Sequence, residues 1–170
     1  MTSSPALNME SQTKLERLAP TPPPSSATRA MKANRSKDTK PELALRRALF
    51  ANGMRYRVGM RLNVPGRSVR PDVVFTRRRV AVFVDGCFWH GCSQHGRMPS
   101  DPTGYWHQKM ERNRARDAAV DESLKAAGWT VVRVWEHLPA SQAAKLVQET
   151  VTEVARRQRT RTTGSQPSLN

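Results

Sequence analysis

Cysteine, acidic charge and long apolar runs are what this sequence has least of. Only two cysteines, Cys87 and Cys92, occur in 170 residues. That excludes the disulfide framework that staples small secreted domains, and two thiols in one short stretch suit a metal better. No segment approaches the roughly 18–20 consecutive apolar residues of a membrane span, and none has a signal-peptide pattern. The expected location is therefore the cytoplasm, with free access to the chromosome in a bacterium. Acids are few, 14 Asp and Glu against 29 Lys and Arg, for a formal net charge of +15 and a pI of about 11.3. So basic a balance favours a polyanionic partner, most simply nucleic acid. Apolar residues make up 37% of the chain, enough for one domain with a modest core and polar tails.

The positive charge belongs to the body of the chain as much as to its ends. Residues 36–150 hold 20 Lys and Arg against 11 Asp and Glu, so the folded surface itself is expected to meet phosphate. Residues 1–30 are rich in Pro, Ser and Thr, include Pro22, Pro23 and Pro24, and read as a disordered tail. A single folded domain is expected over 31–156, followed by a basic disordered tail over 157–170. Arg156, Arg157, Arg159 and Arg161 could touch DNA there or simply be solvated.

Thr39-Lys40-Pro41-Glu42 opens a helix, with Thr39 as cap, Pro41 in the first turn and Glu42 in capping-box position. Leu45, Ala48 and Leu49 form its apolar stripe and Gly53 ends it. Three strands are expected next, over Tyr56–Leu62, Arg70–Phe75 and Arg79–Asp85. The last two are separated by three residues and should pair antiparallel. A loop over Gly86–Asp101 leads to a long helix over about Tyr105–Ala127, a fourth strand over Trp129–Trp135 and a last helix capped by Ser141. The expected fold class is α/β, a mixed sheet with helices on both faces.

The densest chemical signal is Asp85-Gly-Cys-Phe-Trp-His-Gly-Cys-Ser-Gln-His95. Cys87, Cys92 and His95 are spaced as ligands of tetrahedral zinc, and a fourth ligand would close the site. Of the histidines His90, His95, His107 and His137, the last follows the fourth strand, a candidate neighbour of the strand ending at Asp85, and is the fourth ligand expected. Spacing alone leaves His90 as an alternative to His95. Four protein ligands leave no open position, so such a zinc is structural and pins the loop. Asp72 and Asp85 lie on neighbouring strands, and hard carboxylate oxygens are what magnesium needs to bridge phosphate. The plain alternative for Asp72 is a salt bridge to Arg70. A histidine such as His90 near a phosphate can move a proton. Phe88 and Trp89 are adjacent large aromatics in a polar loop, suited to stacking on bases or wedging between them, as Trp106 is, or else to ordinary packing.

Val82-Phe-Val-Asp-Gly-Cys-Phe-Trp-His-Gly-Cys92 resembles the very short patch repair endonucleases, which nick DNA at T:G mismatches. Asn34–Glu42, Pro71-Asp72, Tyr105-Trp106 and Val134–His137 match the same family in order, over about residues 30–140. The resemblance implies a restriction-endonuclease-like core with a structural zinc on Cys87, Cys92, His95 and His137. It implies catalytic magnesium on Asp72 and the Val84 carbonyl, a catalytic His90, an orienting Asp117 and a supporting Glu42. Phe88, Trp89 and Trp106 match the mismatch-inserting aromatics, and Arg35, Lys37 and Lys40 the DNA-gripping arm. Glu42 has a competing role in its capping box and Asp117 in a helix-surface ion pair.

Some relatives carry histidine where this chain has Asp85, which adds a candidate magnesium ligand and removes an imidazole from beside the leaving group. The implied activity is magnesium-dependent nicking of mismatched double-stranded DNA 5′ of the mispaired thymine, by a monomer. The alternatives are a defence nuclease on the same core and a zinc-stabilised DNA-binding protein without catalysis.

Overall fold

The computed structural model describes residues 37–90, 92–95 and 104–163; the expectations for Arg35 and for residues 1–30 lie outside them. Helix α1 spans Lys40–Ala51, with Thr39 as its N-cap. Its capping box closes as expected: the Thr39 hydroxyl donates to Glu42 Oε1 at 3.0 Å and accepts from the Glu42 amide at 3.5 Å. Gly53, at φ +74°, supplies the left-handed residue that ends the helix.

Four strands, rather than three, precede the long helix. β1 (Leu62–Val64) and β2 (Arg67–Val69) form a small antiparallel hairpin, and β3 (Val73–Phe75) and β4 (Val80–Asp85) pair in the main sheet. The expected strand over Tyr56–Leu62 is reduced to a single bridge between Arg57 and Val74. Gly59 turns the chain there at φ +67°, a conformation no strand residue adopts. The expected strand over Arg70–Phe75 is shortened to Val73–Phe75, after Pro71, which has no N–H to give a ladder. Thr76–Arg78 form a single 3-10 turn, which joins β3 to β4 as the short antiparallel connection expected.

α2 (Tyr105–Ala126) then crosses over to β5 (Thr130–Trp135), which lies parallel to β4 with Asp85 opposite Trp135. The main sheet has the order β3-β4-β5 and is mixed. Alternation along β4 divides two cores. Val80 and Val82 pack with Leu45 and Leu49 of α1 and with Ala144 and Val147 of α3 (Ala140–Thr163). Ala81 packs on the opposite face with Leu62 and Val69 of the hairpin and Leu124 of α2. The α/β architecture, a mixed sheet flanked by helices, is thus as the sequence pattern implied.

The expected tail boundary at residue 156 is corrected, because α3 continues to Thr163. Glu153 accepts from Arg156 and Arg157 one turn on, and the side chains of Arg78 and Gln158 bond at 3.1 Å. These contacts extend the helix through what composition alone reads as a solvated run.

Leu124 and Met110 are the buried residues of a 22-residue helix that is mostly polar. Replacing Leu124 with Ala should cost ~2–5 kcal/mol in urea unfolding. Leu146→Ala, at a side chain left 43% exposed, should stay within about 0.5 kcal/mol. Equal losses from the two would show that α2 is not anchored through Leu124.

Candidate active site and metal centre

Two clusters form where β4 and β5 end. The first is metal-binding in character. Cys87, Cys92, His95 and His137 bring one ligand atom each to within 4.8 Å of one another. Cys87 Sγ lies 3.0 Å and Cys92 Sγ 3.6 Å from His137 Nδ1, and Cys92 Sγ lies 4.0 Å from His95 Nδ1. Tetrahedral zinc with bonds of about 2.0–2.3 Å separates its ligands by roughly 3.3–3.8 Å, so the donor set fits that ion.

The sulfurs differ in their readiness to ionise. Burial pushes the Cys87 thiol up to about 11, with the Cys92 sulfur adding to the rise. At Cys92 burial acts the same way, but hydrogen bonds from the Gln94 and His95 backbone outweigh it and bring the thiol down to about 7. The Cys87 amide donates to Glu136 Oε1 at 2.6 Å, which ties the loop to the end of β5. His95, not His90, joins this cluster, which settles a choice that spacing left open.

The second cluster is carboxylate-rich and faces α2. His90 Nδ1 lies 2.5 Å from Asp117 Oδ2 and 3.8 Å from Asp85 Oδ1. Arg133, on β5, donates to Asp85 at 2.8 Å and to both oxygens of Asp121, and its guanidinium lies over the Phe83 ring at 4.8 Å. It also comes within 3.8 Å of Asp117 Oδ1. The guanidinium therefore offsets the repulsion among three acids that would otherwise crowd one another. Asp85 is buried and its Oδ1 is engaged by that cation.

Asp72 sits just before β3 and accepts the Val84 amide through Oδ2 at 2.8 Å. Burial pushes its carboxyl up to about 6; the Val84 N–H opposes the rise and the charge of Glu42 adds to it. Among the described residues no hydrogen bond or ion pair joins Asp72 to Arg70; Arg46 instead reaches the Asp72 carbonyl at 3.5 Å. Glu42 is buried between the Asp38 amide and Arg46, each donating to its Oε2, so its capping role and its proximity to Asp72 coexist. Among the described residues, Asp72, Asp85, Asp117 and Glu42 do not draw their oxygens into a three-ligand cluster like that of the cysteines and histidines.

Phe88, Trp89 and Trp106 meet beside these groups. Their ring centroids are 5.2 Å apart for Phe88 and Trp89, 6.0 Å for Phe88 and Trp106, and 6.1 Å for Trp89 and Trp106. All three are half-buried. The Trp89 carbonyl accepts from Asn113 of α2 at 3.1 Å. Lys37 and Lys40 are exposed at the start of α1.

Sequence reasoning missed Arg133, Asp121 and Glu136. An arginine inside the otherwise apolar strand Thr130–Trp135 was the available signal, since a charge there is costly without a partner. Glu136, between two motif residues, carried no separate signal.

A family profile described as "DNA mismatch endonuclease Vsr" matches residues 23–95; its first eight residues fall in the segment read as a disordered tail. The chain is 50% identical over 133 residues to the type II nicking enzyme V.NaeI of Lentzea aerocolonigenes, covering 78% of this chain and 80% of that one. It is 45% identical over 107 residues to the nicking enzyme V.XorIIP of Xanthomonas oryzae, covering 62% and 76%. To the DNA mismatch endonuclease Vsr of Escherichia coli it is 35% identical over 130 residues, covering 75% and 80%.

A loop with so few apolar side chains depends on its cross-link. Replacing Cys92 with Ser should lower bound zinc, measured by mass spectrometry, and melting temperature together. A variant with one zinc per chain and unchanged melting would show that the cluster does not hold the fold.

Proposed function

Because this chain belongs to the Vsr family of DNA mismatch endonucleases, we propose that it nicks one strand of duplex DNA on the 5′ side of the mispaired thymine in a T:G mismatch. The observation that carries the reading is the short His90–Asp117 contact, together with a half-buried Asp72 whose carboxyl accepts the Val84 amide at the neighbouring strand.

Asp117 holds the Nδ1 proton of His90, so Nε2 keeps its lone pair for a proton from water. Water oxygen then bonds to phosphorus as the bond to the 3′ oxygen breaks. The products are a 3′-hydroxyl, which takes up a proton, and a 5′-phosphate.

Asp72 suits a divalent cation: a half-buried carboxyl whose charge is disfavoured by desolvation and by Glu42 gains from a positive neighbour. Magnesium held by Asp72 and the Val84 carbonyl would supply charge stabilisation to the phosphate. Glu42 supports Asp72 from α1. Asp85, with Arg133 on its Oδ1, is assigned to the His90 surroundings in preference to the metal, a revision of its expected part as a magnesium ligand. Zinc on the cysteine and histidine cluster holds the loop and takes no part in the chemistry.

Phe88, Trp89 and Trp106 supply mismatch preference by entering the base stack, which costs less where pairing is already poor. Lys37 and Lys40, with Arg35, grip the backbone as the enzyme works as a monomer. Among the described residues no helix is long and apolar enough to cross a membrane, consistent with a cytoplasmic enzyme acting on the chromosome.

Replacing Asp72 with Asn keeps shape and removes the charge. Nicking of a T:G duplex in magnesium should fall on the order of a thousandfold, the several kcal/mol a catalytic cation contributes. Binding measured in calcium should stay equal or tighten. Cleavage at the original rate would remove Asp72 from the metal site, and loss of fold would assign it a structural role.

Trp89→Ala should leave melting nearly unchanged. It should reduce the preference for T:G over T:A duplexes roughly 5- to 150-fold, the ~1–3 kcal/mol of a base–aromatic stack. Unchanged preference with a lost fold would make Trp89 a packing residue.

A further inference from the structure

A second basic surface lies away from the candidate catalytic groups. A groove of about 580 Å³ is lined by Arg55, Arg57, Arg77 and Arg78 together with Tyr56, Val151 and neighbouring residues of β3, and no carboxylate lines it. Arg55, Arg57 and Arg77 are exposed. Arg55 lies over the Phe50 ring and reaches only the Met54 carbonyl; Arg78 bonds to the neutral Gln158. Among the described residues no side-chain partner faces Arg57 or Arg77. The bond between Arg78 and Gln158 also brings the end of α3 to the groove, with Arg156 and Arg157 sharing the single acid Glu153.

Arg77 and Arg78 belong to the turn that starts β4, whereas Asp85, the zinc-type cluster and the aromatic trio lie where β4 ends. A six-residue strand separates these ends by roughly 16–20 Å, about the width of a duplex. The groove and the aromatic trio therefore lie at opposite ends of β4.

We propose that this groove binds the phosphate backbone of a second duplex segment, so that one molecule can hold two stretches of DNA at once. Four arginines line one groove without an acid, and phosphate offsets the repulsion among like charges while accepting bidentate hydrogen bonds. The proposal is separable from the nicking reading, because it concerns residues placed outside that machinery.

The full chain is loaded in calcium, one equivalent, onto an immobilised 16-base-pair T:G duplex and washed. A fluorescent, matched 16-base-pair duplex is then added. The original protein should retain the labelled duplex at low salt, and Arg57→Gln/Arg77→Gln should lose that retention. For the second duplex, the slope of log Kd against log salt should be shallower by roughly 1.8, two phosphate contacts fewer. Nicking of the short T:G duplex in magnesium should stay at the original rate, which also reports that the variant is folded. The single variants Arg57→Gln and Arg77→Gln should each lose about half of that slope. Absence of retention by the original protein overturns the proposal, as does retention that the double variant shares. Weakened binding or nicking of one isolated duplex by the variants also overturns it, because the groove would then extend the catalytic footprint. Failure of nicking in the original protein would count against the nuclease reading and leave the retention result to stand on its own.

Discussion

The parallel pairing of β4 with β5 is the constraint from which both candidate sites follow. Its last step sets Asp85 opposite Trp135, and the Glu136 amide continues it by donating to the Asp85 carbonyl. That single register brings the loop after β4 against the residues after β5. It puts Cys87 and Cys92 beside His137, Glu136 beneath the Cys87 amide, and Arg133 beside Asp85. Moving β5 by one residue would turn Arg133 toward the α1–α3 core and Val134 toward the acids, since successive side chains point to opposite faces.

The two clusters divide their labour by chemistry. Soft sulfur and imidazole groups are grouped as a structural ion would need them, while carboxylates and a histidine gather beside aromatics. An ion there would cross-link the loop and lessen its need for apolar burial, and Phe88 and Trp89 are only half-buried. Arg133 has a comparable part on the acidic side. It lets Asp85, Asp117 and Asp121 share a small volume beside the short His90–Asp117 contact.

Charge is distributed with the same polarity. Acids gather where β4 and β5 end, within a chain of net charge +15, and the arginines around the turn between β3 and β4 face almost none. A surface of this kind attracts DNA from any direction, while the acids select where a cation can sit.

Local chemistry was legible in the chain itself. Thr39 and Glu42 announce a capped helix, the run Val80–Val84 a strand buried on both faces, and the cysteine and histidine spacing a zinc-type site, because each depends on contacts a few residues long or on a donor set with strict spacing. Of the pairings across some 50 residues, the sequence offered His137 beside the cysteines and left the partners of Arg133 and Glu136 unseen. The choice of His95 over His90, the position of Arg133 among three acids, and the extension of α3 by Gln158 on Arg78 arise only when the register of β4 and β5 and the packing of α2 and α3 are set. The strand shortening at Gly59 and Pro71 was written in the sequence, yet its outcome depended on which backbone groups found ladder partners. Sequence determined which groups were present and their local conformations; tertiary structure decided which of them share a low-dielectric space, where a few ångströms separate a ligand from a bystander.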